Sequence, residues 1–203
     1  MSILLEQSKT CENLMRAFAG ESQARNRYLF AASLARKQEL YVVSEAFAFT
    51  AEQERAHAKA FWDQLAPLSG KTITVDGTYP VDIYPSALEH LRAAQHNEYQ
   101  EWEVDYAGFS KVAKEEGFPE IAALFERVAA VEKVHGDRFR LFVGRLEDGS
   151  LFSSDHPVEW MCLNCGHIVT AQNAPMSCPL CQHNQGFFVR LDEAPYTAGG
   201  LSK

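Results

Sequence analysis

Four cysteines near the carboxyl end of the chain have the spacing of a metal site. They form two C-x-x-C pairs, Cys162/Cys165 and Cys178/Cys181, with twelve residues between the pairs. Four thiolates at this spacing can surround one metal ion tetrahedrally. Zinc in such a site is structural, whereas iron passes single electrons. Both metals accept this ligand set, so the choice between them depends on what the other residues do.

Two E-x-x-H pairs form a second set of candidate ligands. Glu54/His57 and Glu132/His135 are the only such pairs in the chain, and each lies among apolar residues that recur every three or four positions. This spacing is typical of a helix and places both side chains of a pair on the inward face. The pairs occupy equivalent places in the two halves of the helical region, which favours one shared site.

Three more glutamates interrupt inward-facing apolar stripes: Glu21, Glu98 and Glu101. A buried carboxylate without a partner costs several kcal/mol, so such a group needs cations nearby. Any one of them could instead be a solvated residue at a stripe edge, but the recurrence in every helical segment favours a pair of metal ions, and carboxylates with imidazoles suit iron or manganese. Tyr28 and Tyr106 lie near these faces, either as core residues or as hydrogen-bond donors to the carboxylates.

The elements that must position these residues are four long helices. The apolar period predicts the first two over about residues 10–37 and 41–65. A long crossover follows at 67–85, where Pro, Gly and β-branched residues are frequent. The third helix is predicted to begin at a capping box, Ser86-x-x-Glu89, and to stop at Gly117, and the fourth to begin at Pro119.

The helical period is lost after about residue 145, where Gly, Ser, Asp and Pro become frequent. We therefore expect a mainly α fold in which residues 1–147 form a ferritin-like four-helix bundle with one long crossover. A linker at 148–157 would lead to a small metal-knuckle domain with short strands at 158–203. We expect the last residues, TAGGLSK, to form a frayed tail.

Composition excludes several classes of function. The formal charge of −8, with scattered Lys and Arg, leaves no basic surface for nucleic acid. No apolar run approaches the roughly 20 residues that span a bilayer, and the amino-terminal residues do not have the pattern of an export signal. Four of the five cysteines lie in the paired motif, which is typical of a metal site in a reducing compartment. We therefore expect a cytoplasmic protein without a membrane or nucleic-acid partner.

Five segments in this order resemble the rubrerythrin family, in which a ferritin-like di-iron domain precedes a rubredoxin-like domain. They are AGESQARNRY, EQERAH, EYQEWEVDYAGFSKVAKEEGF, EKVH and WMCLNCGH with APMSCPLC. The resemblance covers nearly the whole chain. It implies two iron ions among the carboxylates and one iron ion, or zinc, at the four cysteines.

The resemblance also implies a role for each inward residue of the bundle. Glu54 and Glu132 would bridge the two iron ions, and Glu98 with His135 would hold one of them. Glu21 would be a terminal ligand of the other.

In the family, that second iron moves between two alternative ligands, which correspond to Glu101 and His57. The second knuckle has Gln182 where the first knuckle has Gly166, a small departure that is common in the family.

The activity implied is the reduction of hydrogen peroxide to water. Catalysis would involve Glu101 and His57, with Tyr28 and Tyr106 close by, and a displaced Glu101 or a tyrosine hydroxyl could supply protons. Rubredoxin or a flavin-containing NAD(P)H-dependent reductase would donate electrons, and a homodimer could place one subunit's knuckle domain near its partner's bundle.

Two other classes of function use parts of the same residues. A ferroxidase, iron-handling or oxygen-reducing protein needs the bundle ligands but has no use for the cysteine module. An iron sensor or structural zinc protein needs only the cysteines. A redox site in the bundle requires an electron source, so the whole pattern favours a peroxidase with iron at the cysteines.

Overall fold

The chain forms a bundle of long helices followed by a small sheet. The computed structural model describes residues 3–195, so the predicted tail TAGGLSK lies outside the described residues. The helices are α1 (Lys9–Lys37), α2 (Tyr41–Gln64), α3 (Ala87–Gln100), α4 (Tyr106–Glu115) and α5 (Pro119–Glu147). Helix α1 packs along α2, and α3 and α4 pack along α5. The predicted fold class, two helical hairpins joined by one long crossover, is confirmed.

Local signals set where the helices begin and end. Ser86 caps α3 by accepting a hydrogen bond from the backbone N–H of Glu89. Helix α4 ends before Gly117, which adopts a left-handed conformation with φ of 87°. The carboxylate of Glu116 accepts hydrogen bonds from the backbone N–H groups of Lys9 and Thr10, so the end of α4 caps the start of α1.

A π-helical turn, Glu101–Asp105, joins α3 to α4. The regular period predicts Asp105 and Val112 on the inward face, but the buried positions are Tyr106 and Ala113. The turn inserts one extra residue, and this rotates everything after it by one position. The third predicted helix is therefore two helices with different phases.

The bundle has two apolar cores with a polar layer between them. One core, around Leu14, Phe61 and Phe125, lies towards the amino-terminal end of α1. The other, around Phe47 and Phe139, lies towards the α1–α2 turn. All the candidate ligands of the bundle fall between these two cores along the helices. The apolar residues on either side therefore hold the polar layer in place and close it to water along the bundle axis.

The sheet has three antiparallel strands, β1 (Ser153–Cys162), β2 (Ile168–Asn173) and β3 (Phe188–Arg190), in the order β2-β1-β3. Strand β1 begins within the segment that was predicted as a linker. Trp160 is fully buried in the core of this domain and donates a hydrogen bond to the carbonyl of Ala171 at 3.0 Å.

The knuckle domain packs against the turn between α1 and α2. The rings of Tyr41 and Phe187 stack with centroids 3.8 Å apart. Gly186 approaches this turn so closely that an added Cβ would lie 1.8 Å from the backbone oxygen of Glu39. Arg145 near the end of α5 pairs with Glu193. Among residues 3–195, no helix is long and apolar enough to cross a membrane.

Candidate metal centres

The two E-x-x-H pairs meet in the polar layer of the bundle. The rings of His57 and His135 are stacked with centroids 5.5 Å apart. The Nδ1 atom of His57 lies 3.1 Å from Glu54 Oε2 and 3.0 Å from Glu132 Oε1. The Nδ1 atom of His135 lies 2.8 Å from Glu54 Oε1 and 2.8 Å from Glu132 Oε2. Each carboxylate thus turns one oxygen towards each imidazole, as a bridge between two metal ions would.

The other three glutamates surround this central group. Glu98 Oε2 lies 3.5 Å from the Nδ1 atom of His135. Glu21 Oε2 lies 3.9 Å from the Nδ1 atom of His57. Glu101, in the π-helical turn, has a carboxylate oxygen within 4.8 Å of those of Glu21 and Glu132. The structure therefore brings all seven candidate residues into one cluster, although they come from both helical hairpins.

Several ligand atoms of the cluster are buried without a hydrogen-bond partner. They are Glu21 Oε2, Glu54 Oε1, Glu98 Oε2, both carboxylate oxygens of Glu132, and His135 Nδ1. Some of them approach one another to 2.8 Å, yet they lack hydrogen-bond geometry. Buried polar atoms are rarely left unpaired, and here their lone pairs share a common centre. Two divalent cations would satisfy them, so the donor set fits a di-metal site.

Several residues of the cluster have raised pKa values and so tend to hold protons when no metal is bound. Burial raises the pKa of Glu98 to about 8, and the charge of Glu54 adds to this rise. Burial likewise raises the pKa values of Glu21 and Glu101. For His57 burial acts in the opposite direction, but two neighbouring carboxylates outweigh it and raise the pKa to about 9. Metal ions would have to displace these protons.

Two tyrosines at the cluster are hydrogen-bond donors to its carboxylates. The Tyr28 hydroxyl donates to Glu98 Oε1, and the Tyr106 hydroxyl donates to Glu21 Oε1. Both tyrosines are 2% exposed. The two alternatives for these residues, core or donor, are thus both true, since each ring packs in an apolar core while its hydroxyl orients a carboxylate.

A polar chain behind His135 was not foreseen from the sequence. The His135 Nε2 atom lies 3.0 Å from Gln53 Oε1, which also accepts a hydrogen bond from Arg138 at 3.0 Å. Arg138 donates a further hydrogen bond to Thr50 at 2.8 Å. An acceptor at Nε2 keeps the proton there and leaves Nδ1 free to face the carboxylates. The position of Arg138, three residues after His135 on the same helix face, is the sequence signal that could have indicated it.

The four cysteines of the knuckle domain converge as their spacing predicts. Their Sγ atoms all lie within 4.8 Å of one another, and the Cys162–Cys181 and Cys165–Cys178 distances are both 3.7 Å. Thiolates at about 2.3 Å from a tetrahedral metal are about 3.8 Å apart. The site therefore has the dimensions of a single-metal tetrathiolate centre.

The glycine missing from the second knuckle does not change its backbone. Gln182 has φ of 64° and Gly166 has φ of 74°, so both knuckles turn through the left-handed conformation. The backbone N–H groups of these two residues donate equivalent hydrogen bonds, to the carbonyls of Cys178 and Cys162 respectively. Gln182 is thus accommodated in the second knuckle at the modest cost of a non-glycine residue in the left-handed conformation.

Two family models match the chain. One, described as "Rubrerythrin", matches residues 12–143, and the other, described as "Rubrerythrin, rubredoxin-like domain", matches residues 160–189. The rubrerythrin of Porphyromonas gingivalis is 43% identical, with 93% of this chain and 92% of the relative covered. The rubrerythrin of Clostridium perfringens is 42% identical, with coverage of 91% and 95%.

Solved structures with a similar fold are consistent with these matches. Fully reduced nigerythrin superposes with a TM-score of 0.61 at 26% identity, covering 91% of this chain and 90% of that one. A bacterioferritin from Desulfovibrio desulfuricans superposes with a TM-score of 0.62 at 23% identity, covering 70% of this chain and 82% of that one. The second match concerns the bundle fold alone.

Proposed function

The chain belongs to the rubrerythrin family, and from this premise we propose that it is a peroxidase that reduces hydrogen peroxide to water. The family has a di-iron site in the bundle and a single metal at four cysteines, and the residues for both sites are present in this chain. One observation carries the proposal: a buried layer of carboxylates and imidazoles with unpaired ligand atoms occurs in the same chain as a tetrathiolate site. An iron pair supplies two electrons, which is the number that one peroxide molecule consumes.

We propose that Glu54 and Glu132 would be ligands shared by the two iron ions, since each turns one oxygen to each imidazole. His135 and Glu98 would hold one ion.

Glu21 would be a terminal ligand of the other ion, with Glu101 and His57 as its two alternative ligands. Their different settings support this assignment, because Glu101 projects from the π-helical turn and His57 from a regular helix on the other hairpin.

The reaction H₂O₂ + 2 e⁻ + 2 H⁺ → 2 H₂O needs two protons in the polar layer. Glu101 is half-buried, whereas Glu21 and Glu98 are 1% exposed, so Glu101 is the carboxylate best placed to exchange a proton with solvent. The hydroxyls of Tyr28 and Tyr106 each donate to a carboxylate of the cluster. We propose that Glu101 delivers protons to the oxygen atoms of the substrate and that the tyrosines orient the carboxylates.

Electrons would enter through iron at the cysteines, from rubredoxin or a flavin-containing NAD(P)H-dependent reductase in the cytoplasm. The half-buried Cys165 and Cys181 form the accessible side of that site. Within one chain, the knuckle domain contacts α2 near its start, where the rings of Tyr41 and Phe187 stack. We propose a homodimer in which each knuckle domain (158–203, after the linker 148–157) serves the partner's bundle (1–147).

The test is a peroxide titration of the reduced, iron-loaded protein without oxygen. We expect three iron ions per chain, thiolate-to-iron absorption, and loss of two electrons per added peroxide. Glu101→Ala should lower turnover by about 10²-fold or more, the usual contribution of a general acid. The matched control is Glu103→Ala, an exposed glutamate in the same turn. One zinc ion and no reoxidation by peroxide would reject the proposal, and so would full turnover by Glu101→Ala.

The same titration separates a peroxidase from a ferroxidase. A ferroxidase would continue to oxidise added ferrous ions beyond the two in its own site and would assemble into a large cage. We expect a dimer by light scattering and no such excess oxidation.

A further inference from the structure

A cavity of about 330 Å³ leads to the polar layer from the side of the crossover. Helix α1 forms one wall, α3 and α4 form the other, and residues 77–80 of the crossover form the roof. Glu101 and Tyr106 line its inner end. The roof is attached to α1, because the Tyr79 hydroxyl donates a hydrogen bond to the carbonyl of Arg16 at 3.0 Å.

This cavity reaches Glu101, which is half-buried, whereas the other four glutamates of the cluster are buried. Glu54, Glu98 and Glu132 are at most 1% exposed, so a substrate cannot approach the layer past them. Glu101 both lines the cavity and shares a ligand group with Glu21 and Glu132. A molecule in the cavity therefore has a direct route to the proposed reaction centre.

The cavity is larger than hydrogen peroxide requires. A water molecule occupies about 30 Å³ in the liquid, so the space would hold about ten groups of that size, whereas hydrogen peroxide has two. Pockets that bind small organic molecules begin at about 300 Å³. The walls include apolar surface from Ala17, Gly20, Tyr79 and Phe109, which suits an alkyl group better than bulk water.

The charges around the cavity favour a neutral guest. Arg16 is the one basic residue among the described residues that line it. Its guanidinium already donates to Glu12, Asn13 and Asp76, at distances of 2.7–3.0 Å. The acidic side chains of Glu101 and Asp105 offer an anion no positive partner at the lining. An anionic hydroperoxide, such as one with a fatty-acid carboxylate, would thus find no free cation to bind it.

We infer that this cavity binds small neutral alkyl hydroperoxides and that the protein reduces them as well as hydrogen peroxide. The inference rests on the proposed peroxidase function and uses the same two electrons. The O–O bond of ROOH breaks, the two electrons come from the reduced iron pair, and two protons complete the products: ROOH + 2 e⁻ + 2 H⁺ → ROH + H₂O. The alkyl group R stays against the apolar wall while the peroxide group points towards Glu101.

Gly20 offers a way to fill the cavity without disturbing the fold. It is a helical residue of the α1 wall, and an added Cβ would lie at an ordinary contact distance, 3.7 Å, from the Tyr79 ring. Replacing a helical glycine gains about 0.8–1 kcal/mol of helix propensity. The matched control is Gly108→Leu, because Gly108 is an exposed helical glycine of α4 with nothing within 4 Å of its Cβ position.

The experiment compares kcat/KM for tert-butyl hydroperoxide and for hydrogen peroxide in the iron-loaded protein. We expect the wild type to reduce both. In Gly20→Leu the kcat/KM for tert-butyl hydroperoxide, divided by the kcat/KM for hydrogen peroxide, should fall by about 10–200-fold. This is the range for one misplaced methylene group in a pocket. Gly20→Ala should give an intermediate ratio and Gly108→Leu the wild-type ratio. Thermal unfolding and iron content check that each variant is folded and loaded.

A second measurement detects binding without turnover. In the full chain loaded with zinc, a diamagnetic ion, tert-butyl alcohol should shift the backbone amide signals of Gly20, Gly77 and Thr78 saturably, and Gly20→Leu should abolish these shifts. If the wild type reduces hydrogen peroxide but not tert-butyl hydroperoxide, or if Gly20→Leu leaves the ratio unchanged, the inference is wrong while the peroxidase function stands. If neither peroxide is reduced, the proposed function itself fails, and saturable alcohol binding would then report on the cavity alone.

Discussion

Loading the polar layer of the bundle with metal should release about three protons per chain at pH 7. In the metal-free protein, the pKa values of Glu98, His57 and His135 are raised to about 8, 9 and 12. Burial and neighbouring carboxylates raise the first value. For the two histidines, burial is outweighed by the carboxylates that face them. Each of these groups holds a proton at pH 7 and must lose it to become a ligand.

The pH dependence of metal binding follows from this count. Each displaced proton changes the apparent binding constant tenfold per pH unit, so three protons change it by about 10³ between pH 6 and pH 7. Metal affinity must rise with pH, because protons compete with the metal for the same ligand atoms. The raised pKa values of Glu21 and Glu101 can only add to the number released.

Titration calorimetry with manganese(II) in two buffers of different ionisation enthalpy measures the released protons. Manganese is a hard ion that prefers carboxylates and imidazoles to thiolates, so the knuckle domain should contribute little. Glu98→Gln should release one proton fewer. His90→Gln is the matched control, since His90 is a buried histidine that contacts the Tyr84 carbonyl outside the cluster. Release of less than one proton by the wild type would refute the electrostatic reasoning.

Three further predictions concern stability, metal affinity and domain packing. In the folded, metal-free protein the pKa values of Glu98 and His57 are about 8 and 9, above the ordinary 4.5 and 6.5. The folded state therefore binds more protons than the unfolded state, and the melting temperature should fall as the pH rises from 6 through 8 and 9. The melting temperature of the metal-loaded protein should change little over the same range. Gln53→Leu removes the acceptor of the His135 Nε2–H, and a competition titration should show metal affinity reduced by about 10–100-fold. Gly186→Ala would place a methyl group 1.8 Å from a backbone oxygen of the α1–α2 turn, so the segment after α5 should become more sensitive to protease, with the absorption of both metal sites retained.

Each of these predictions has a result that would contradict it. A metal-free melting temperature that rises between pH 6 and pH 9 would mean that the cluster does not hold protons. Wild-type metal affinity in Gln53→Leu would show that the hydrogen bond does not orient the imidazole. For Gly186→Ala the control is Gly108→Ala, whose Cβ meets open space, and equal protease resistance of the two variants would remove the steric argument.

Much of the bundle could be predicted because its signals are local. Helical periods, the Ser86 cap and the stop at Gly117 depend on residues a few positions apart, and the structure places the elements accordingly. The two E-x-x-H pairs could be assigned to inward faces for the same reason. Because the topology brings the two hairpins together, His57 contacts Glu132 and His135 contacts Glu54 from the opposite hairpin.

The π-helical turn could not be predicted from the period. The stripes before and after it are each regular, but they differ in phase by one residue, and sequence alone does not say where that residue is inserted. The choice between Asp105 and Tyr106 at the inward position depends on which one packs better against the rest of the core. Tyr106 fills an apolar core and pairs with Glu21, whereas Asp105 remains half-buried with a weak contact to Gln100.

The sequence by itself determined the kinds of ligand and the helices that carry them, because residue type and helical spacing are properties of the chain. Only the tertiary structure decided which oxygen faces which imidazole, that Gln53 and Arg138 support His135, and that a cavity ends at Glu101. The physical reason is that these features depend on how far helices distant in sequence approach and rotate against one another. That is decided by the packing of whole cores, and no local pattern encodes it.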